Sequence, residues 1–209
     1  MTVTVKKAAE EKTPGDDTKP EDETKPGDDT KPEDEKPQGF TIYFANNKKW
    51  TEVNATFFNR ETGERFSDFL VNDVIPYIEK NYNTNSVRGF AGSSNGGLEA
   101  FYIGMEHPGL FSYIGVISPA MDFFASETWD EYLSKKDFSG DTARVYIYCG
   151  NQDFIEKLQH DATAEIEGKM KKAGYPADKV VTVLDNDGAH NEGFWAIYFT
   201  EMLKFGLQF

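Results

Sequence analysis

The chain has 209 residues, a formal net charge of −14 and an isoelectric point near 4.6. That length suffices for one domain with a real core plus appendages, and the acidity argues against nucleic acid or an anionic membrane as partner. No apolar run approaches the roughly 18 residues that span a bilayer, no apolar signal region follows Met-Thr-Val-Thr-Val-Lys-Lys, and a single cysteine, Cys149, excludes an internal disulfide framework.

Residues 1–38 read as a linker. Lys-Pro-Glu-Asp-Glu at 19–23 recurs at 31–35 and Gly-Asp-Asp-Thr at 15–18 recurs at 27–30, a repeat of period 12 with no apolar position to build a solenoid core. Residues 1–40 hold twelve Asp/Glu against seven Lys, a net −5, five of the nine prolines, and Phe40 as their one aromatic. Such a stretch buries too little surface to offset its ordering entropy, so it is expected to stay extended.

Residues 39–59 form a second segment. Phe40-Thr-Ile-Tyr-Phe44 reads as a strand, Asn46-Asn47-Lys48-Lys49 as a turn, and the run from Trp50 to Phe57 as a second strand. Residues 41–54 resemble the opening hairpin of starch-binding β-sandwich modules, which implies a carbohydrate-binding remnant with Trp50 either stacking on sugar or packing the hairpin onto its neighbour.

Residues 60–209 alternate strands with helices, which predicts right-handed βαβ units, a parallel sheet and an α/β fold. A first helical face carries Phe66, Phe69, Leu70, Val74, Tyr77 and Ile78, with Pro76 late in the element. A strand follows at 86–90, then a helix with Leu98, Phe101, Tyr102 and Met105 inward, and a strand at 113–117. Residues 121–137 read as irregular. After a strand at 144–149, which makes Cys149 a buried strand residue, a long helix from about Phe154 points Ile155, Leu158, Ala162, Ile166 and Met170 inward and stops at Gly174. A strand at 180–184 and a last helix with Phe194, Trp195, Ile197, Tyr198, Met202 and Phe205, stopped by Gly206, complete the pattern.

Gly92-Ser93-Ser94-Asn95-Gly96 matches G-x-S-x-G between a strand and a helix. A serine on so sharp a turn needs neighbours two before and two after it that are nearly free of side chain, and this register selects Ser94 rather than Ser93 as nucleophile. The N–H of Asn95, at the start of the helix, is a ready oxyanion donor. Three histidines compete for the role of base. His107 closes the helix behind the elbow, where it can bond terminal carbonyls; His160 falls mid-helix and is expected to be exposed; His190 lies in a loop past the last strand, at the same sheet edge as the elbow. The acid should follow the strand between them, which points to Asp153, with a helix N-cap as the lesser alternative or an additional role of the same residue. Asp185 and Asp187 belong to the histidine's own loop, and Glu156 sits one turn into the helix.

Asn72-Asp73-Val-Ile-Pro-Tyr-Ile-Glu-Lys-Asn-Tyr82, Gly89-Phe-Ala-Gly-Ser-Ser-Asn-Gly-Gly97, Glu106-His-Pro-Gly-Leu-Phe111 and Gly188-Ala-His190 with Phe194-Trp195 resemble the esterase D family, which includes feruloyl and acetylxylan esterases and enterochelin-esterase-like proteins. The resemblance runs from about Arg65 to Phe209. It implies an α/β-hydrolase-like three-layer sandwich with a mainly parallel sheet, Ser94 as nucleophile, Asp153 as acid, His190 as base, and no cofactor or metal. Asn95 stands where the family often has Met. Nothing matches the family's N-terminal strands or the loop supplying a second oxyanion donor, so the fold is expected to be truncated on that side and the chain a weak esterase. Together with the linker and hairpin, the resemblance favours an acyl ester on polysaccharide as substrate, a siderophore ester or a non-catalytic remnant as alternatives, and an extracellular or cell-surface parent protein.

Overall fold

The computed structural model describes residues 60–208, together with the backbone of two short strands, β1 (Thr4–Lys6) and β2 (Thr41–Tyr43). β1 and β2 pair in parallel, so the strand expected around Phe40–Phe44 is present at its centre, with a partner drawn from the stretch read as linker. The rest of the linker, the Asn46–Lys49 turn and the strand from Trp50 lie outside the described residues.

From Arg60 the chain runs α1 (Arg60–Phe69), a π-helical turn at Leu70–Val74, and α2 (Ile75–Asn81). The expected single helical face is broken here. Pro76 lacks the N–H that would continue the ladder, and the π turn just before it rotates the register. Phe66, Leu70 and Ile75 therefore pack on the core while Phe69 and Tyr77 are exposed.

The main sheet holds β3 (Gly89–Ser93), β4 (Tyr113–Ile117), β5 (Arg144–Gly150) and β6 (Val180–Asp185), all parallel and in sequence order. The connecting helices are α3 (Asn95–Glu106), α4 (Ser126–Ser134) and α5 (Phe154–Lys172); α6 (Glu192–Leu207) follows the last strand. Strands that advance in one direction through right-handed crossovers place all their connecting helices on one face. The core agrees. Ile114, Val116, Val145 and Ile147 face Leu98, Phe101, Trp129, Leu133, Ile166 and Met170 from the three crossovers. Their alternate neighbours Ile117, Tyr146 and Tyr148 face Met202 and Leu203 of α6, the period-two pattern of a sheet buried on both sides.

Three expectations are corrected. Residues 121–137 are not irregular throughout: a 3₁₀ turn at Met121–Phe123 leads into α4, whose Trp129 and Leu133, four apart, fill the core. The inward face of α5 is Glu156, Gln159, Thr163, Ile166 and Met170, whereas Ile155 and Leu158 are exposed. Gly206 does not stop α6. It lies inside the helix against Tyr113, where an added Cβ would sit 2.6 Å from the ring, and Gln208 caps the helix in the left-handed conformation. Gly174, at φ +96°, does follow the end of α5. No helix among the described residues is long and apolar enough to cross a membrane.

Candidate active site

The parallel sheet delivers four chain reversals to one edge, at Ser94, Ser118, Asn151 and Asn186. β3 spans Gly89–Ser93, three residues later than the expected 86–90, and turns into α3 at a single residue. That residue is Ser94, at φ 56°, ψ −126°. For a residue with a side chain this backbone costs on the order of 1–3 kcal/mol and persists only where its surroundings over-determine it. Here Ser94 N–H donates to Ile117 O at 2.9 Å, and Ser94 O receives the N–H groups of Gly97 and Leu98 at 3.0 and 3.1 Å. Asn95 opens α3, so its N–H is among those that no carbonyl of the helix receives. The turn is tight enough that a Cβ on Gly92 would lie 2.2 Å from Gly96 O. Gly92→Ala is accordingly expected to cost about 1–3 kcal/mol of stability, read as a lower thermal midpoint.

His190 is held from below by its own loop. Asn151 and Gln152 N–H both donate to Gly188 O, at 3.1 and 2.9 Å, and His190 N–H donates to Asp153 Oδ2 at 2.5 Å. Asp153 Oδ1 receives Glu156 N–H at 2.9 Å, so Asp153 caps α5 with one oxygen and anchors the histidine loop with the other. Burial pushes its carboxyl up, but the backbone donors outweigh that and hold it below the usual range. The two oxygens of Asp153 thus serve backbone N–H groups, not the imidazole.

The carboxylate beside the imidazole is Glu156. Its Oε1 lies 3.3 Å from His190 Nδ1, an ion-pair contact outside good hydrogen-bond geometry, and its side chain is fully buried. Ser118 Oγ–H also donates to Oε1; Gly150 N–H and Cys149 S–H donate to Oε2 at 3.0 and 3.1 Å. Burial raises the Glu156 carboxyl, and the adjacent His190 imidazole together with donation from Ser118 and Cys149 more than reverses it, leaving it below its ordinary value. Trp195, in the first turns of α6, meets the His190 ring edge-on at 5.1 Å. Ser94 Oγ and the imidazole are not hydrogen-bonded to each other in this conformation; such contacts are commonly long before substrate binds.

The other candidates are spent elsewhere. Asp185 receives Tyr198 O–H at 2.8 Å and Asp187 N–H at 3.0 Å. His107 lies 2.7 Å from Ser67 Oγ rather than on the carbonyls closing α3, and His160 is largely covered, with Asp161 3.1 Å away. Glu156 was legible only as a residue near Asp153. The pair matches D-x-x-E, a helix-start signature in which the glutamate normally reaches back to the cap. Here it turns inward instead; Ser118 carried no signal beyond its position after a strand, and Trp195 entered only through the Phe194-Trp195 part of the family resemblance, with no role attached. No group of His, Cys, Asp and Glu that could hold a metal ion occurs among the described residues.

Residues 32–205 match the family described as Esterase, "Putative esterase". The chain belongs to this esterase family. It is similar to "Uncharacterized protein YbbA" of Bacillus subtilis (strain 168), at 26% identity over 159 residues, 68% of this chain and 62% of YbbA. It is also similar to an endo-1,4-beta-xylanase/feruloyl esterase of Xylanibacter ruminicola, at 30% identity over 124 residues, 58% of this chain and 15% of that one. Among solved structures, an IroE-like serine hydrolase from Shewanella oneidensis matches with a TM-score of 0.57 at 19% identity, over 68% of this chain and 47% of that one. The enterobactin esterase FES from Shigella flexneri matches with a TM-score of 0.57 at 16% identity, over 73% of this chain and 42% of that one. At these identities the structures establish the fold, an α/β-hydrolase-like sheet with flanking helices. This esterase-family chain spans less than two thirds of YbbA and less than half of either solved structure. The expected truncation on the N-terminal side, with no loop for a second oxyanion donor, concerns chain before α1, most of which lies outside the described residues.

Proposed function

We propose that the chain is a serine carboxylic-ester hydrolase working through an acyl-enzyme, with Ser94 as nucleophile, His190 as base and Glu156, rather than Asp153, as the acid facing the imidazole. The observation that carries this reading is the strained φ of Ser94 at the mouth of α3, on the same sheet edge as an imidazole backed by a buried carboxylate. In the first half-reaction Ser94 Oγ attacks the ester carbonyl while His190 Nε2 takes its proton. The oxyanion gathers on Asn95 N–H, and the imidazolium, neutralised by Glu156, returns the proton to the departing alkoxide. Water then repeats the sequence on the acyl-Ser94 ester, releasing acid and free serine. Asp153 fixes the loop on which the histidine stands.

For the substrate, a feruloyl or acetyl ester on polysaccharide is the reading favoured by the xylanase/feruloyl esterase relative. Exposed Phe123 and Phe154 beside the C-terminal edge of the sheet suit an aromatic acyl group. The test is labelling of the intact chain with a fluorophosphonate. Ser94 should carry the adduct, found by peptide mass spectrometry, and Ser94→Ala should not be labelled. A wild-type chain that resists the probe, or labels at another serine, would overturn the proposal. A panel of feruloyl, acetyl and catechol esters then separates polysaccharide from enterochelin-type substrates.

A further inference from the structure

We propose that Ser118 and Trp195 are positioning residues that fix which nitrogen of His190 carries the proton, an inference that rests on the hydrolase reading above. Trp195 Nε1–H donates to Ser118 Oγ at 3.0 Å. An indole N–H is a donor only, and a serine hydroxyl has one hydrogen. With its oxygen already accepting from Trp195, the Ser118 hydrogen is left for Glu156 Oε1, the partner it meets. Gly150 N–H and Cys149 S–H fill the other carboxylate oxygen. Every neighbour of Glu156 other than the imidazole is therefore a donor, and the carboxylate presents only acceptor capacity to His190 Nδ1 at 3.3 Å. That polarity requires the imidazole hydrogen on Nδ1 and leaves the Nε2 lone pair free to act as base.

The same pair fixes the ring in space. Trp195 touches the imidazole with its ring face-to-edge and holds the serine behind the carboxylate with its N–H, closing a circuit of Trp195, Ser118, Glu156 and His190. Ser118 is fully buried and adopts φ 42°, a left-handed backbone sustained by donation of its N–H to Tyr148 O at 2.6 Å. It also follows Ile117, whose carbonyl receives Ser94 N–H. The end of β4 thus grips the elbow with one residue and the acid with the next.

Trp195→Phe keeps the ring and removes the donor. Ser118→Gly removes the hydroxyl while relaxing the left-handed backbone, so a residue needed only for strain would tolerate it. Two readouts are taken on the full chain: the ¹⁵N signals of the neutral His190 imidazole, with His107 and His160 as internal controls, and the rate of Ser94 phosphonylation. Both variants should lose part of the Nδ1–H tautomer and label about 10–100-fold more slowly, as expected for a base displaced by a fraction of an ångström. If both keep the wild-type tautomer and label within about twofold of wild type, the proposal is wrong. Should Ser118→Gly fail to fold, Trp195→Phe decides alone. The tautomer measurement needs no turnover, so it tests this circuit even if the wild type resists the probe and the hydrolase reading falls.

Discussion

Glu156→Gln is expected to lower turnover of an activated aryl acetate by about 10⁴-fold, the size of loss seen when the acid of a serine triad becomes an amide. The cause is the same here. Glu156 sits among donors from Ser118, Cys149 and Gly150, and an amide must point its own N–H at one of them or at His190 Nδ1. Either way the carboxylate that would neutralise the imidazolium is gone. Asp153→Asn should behave differently. Both of its oxygens serve backbone N–H groups, so the amide leaves one of these facing a second donor. That penalty, about 1–3 kcal/mol, falls on the stability of the histidine loop before it reaches the chemistry. Rates normalised by active-site titration, compared with thermal midpoints, separate the two. A larger catalytic loss in Asp153→Asn at unchanged stability would return the acid to Asp153. Acid adds a second signature. Both carboxyls are held below their ordinary values, so the stability they contribute is present above the unfolded carboxylate range and is lost as pH falls through their folded values. Glu156→Gln should blunt that acid-side loss.

Three strands of the sheet and the elbow were legible because each is marked by chemistry that acts locally: β-branched and aromatic runs at 113–117, 144–149 and 180–184, and small residues on either side of Ser94; the first strand, expected at 86–90, lies at Gly89–Ser93. What sequence periodicity misread shares one cause. On α5 the apolar residues Ile155 and Leu158 suggested the inward face, but the N-terminal half of that helix turns Glu156, Gln159 and Thr163 inward instead. Burying a carboxylate there is tolerable only because Ser118, Cys149 and Gly150 all donate to it, and those donors are distant in sequence. Hydrophobic pattern thus fails where the helix lines the site. The same holds for Gly206, read as a helix stop because glycine is common past helix ends, when its actual task is close approach to Tyr113 on the neighbouring strand. Tertiary contact decided both cases.

Glu99→Gln is expected to stabilise the chain by about 3 kcal/mol at pH 7 and to change little near pH 4.5. Glu99 lies on α3, the helix that begins at the elbow, and is 1% exposed. Neither carboxylate oxygen finds a hydrogen-bond partner among the described residues. Burial with no compensating charge raises its carboxyl to about 8 from an ordinary 4.5. The sign follows directly. Between those two values the unfolded chain releases the Glu99 proton and the folded chain keeps it, so stability is greatest below the unfolded value and falls as pH rises towards 8. The slope over that window is about 1.4 kcal/mol per pH unit. Glutamine keeps the shape and removes the titration, so the two proteins should unfold together in mild acid and diverge as pH rises. For a domain of this size the gap at pH 7 corresponds to roughly 6–12 °C in thermal midpoint. Circular-dichroism melts at pH 5 and pH 8 measure it. Equal midpoints for the two proteins at both pH values would mean that Glu99 meets a cation or donor in solution, and the unpaired buried carboxyl would have to be abandoned as a feature of the native chain.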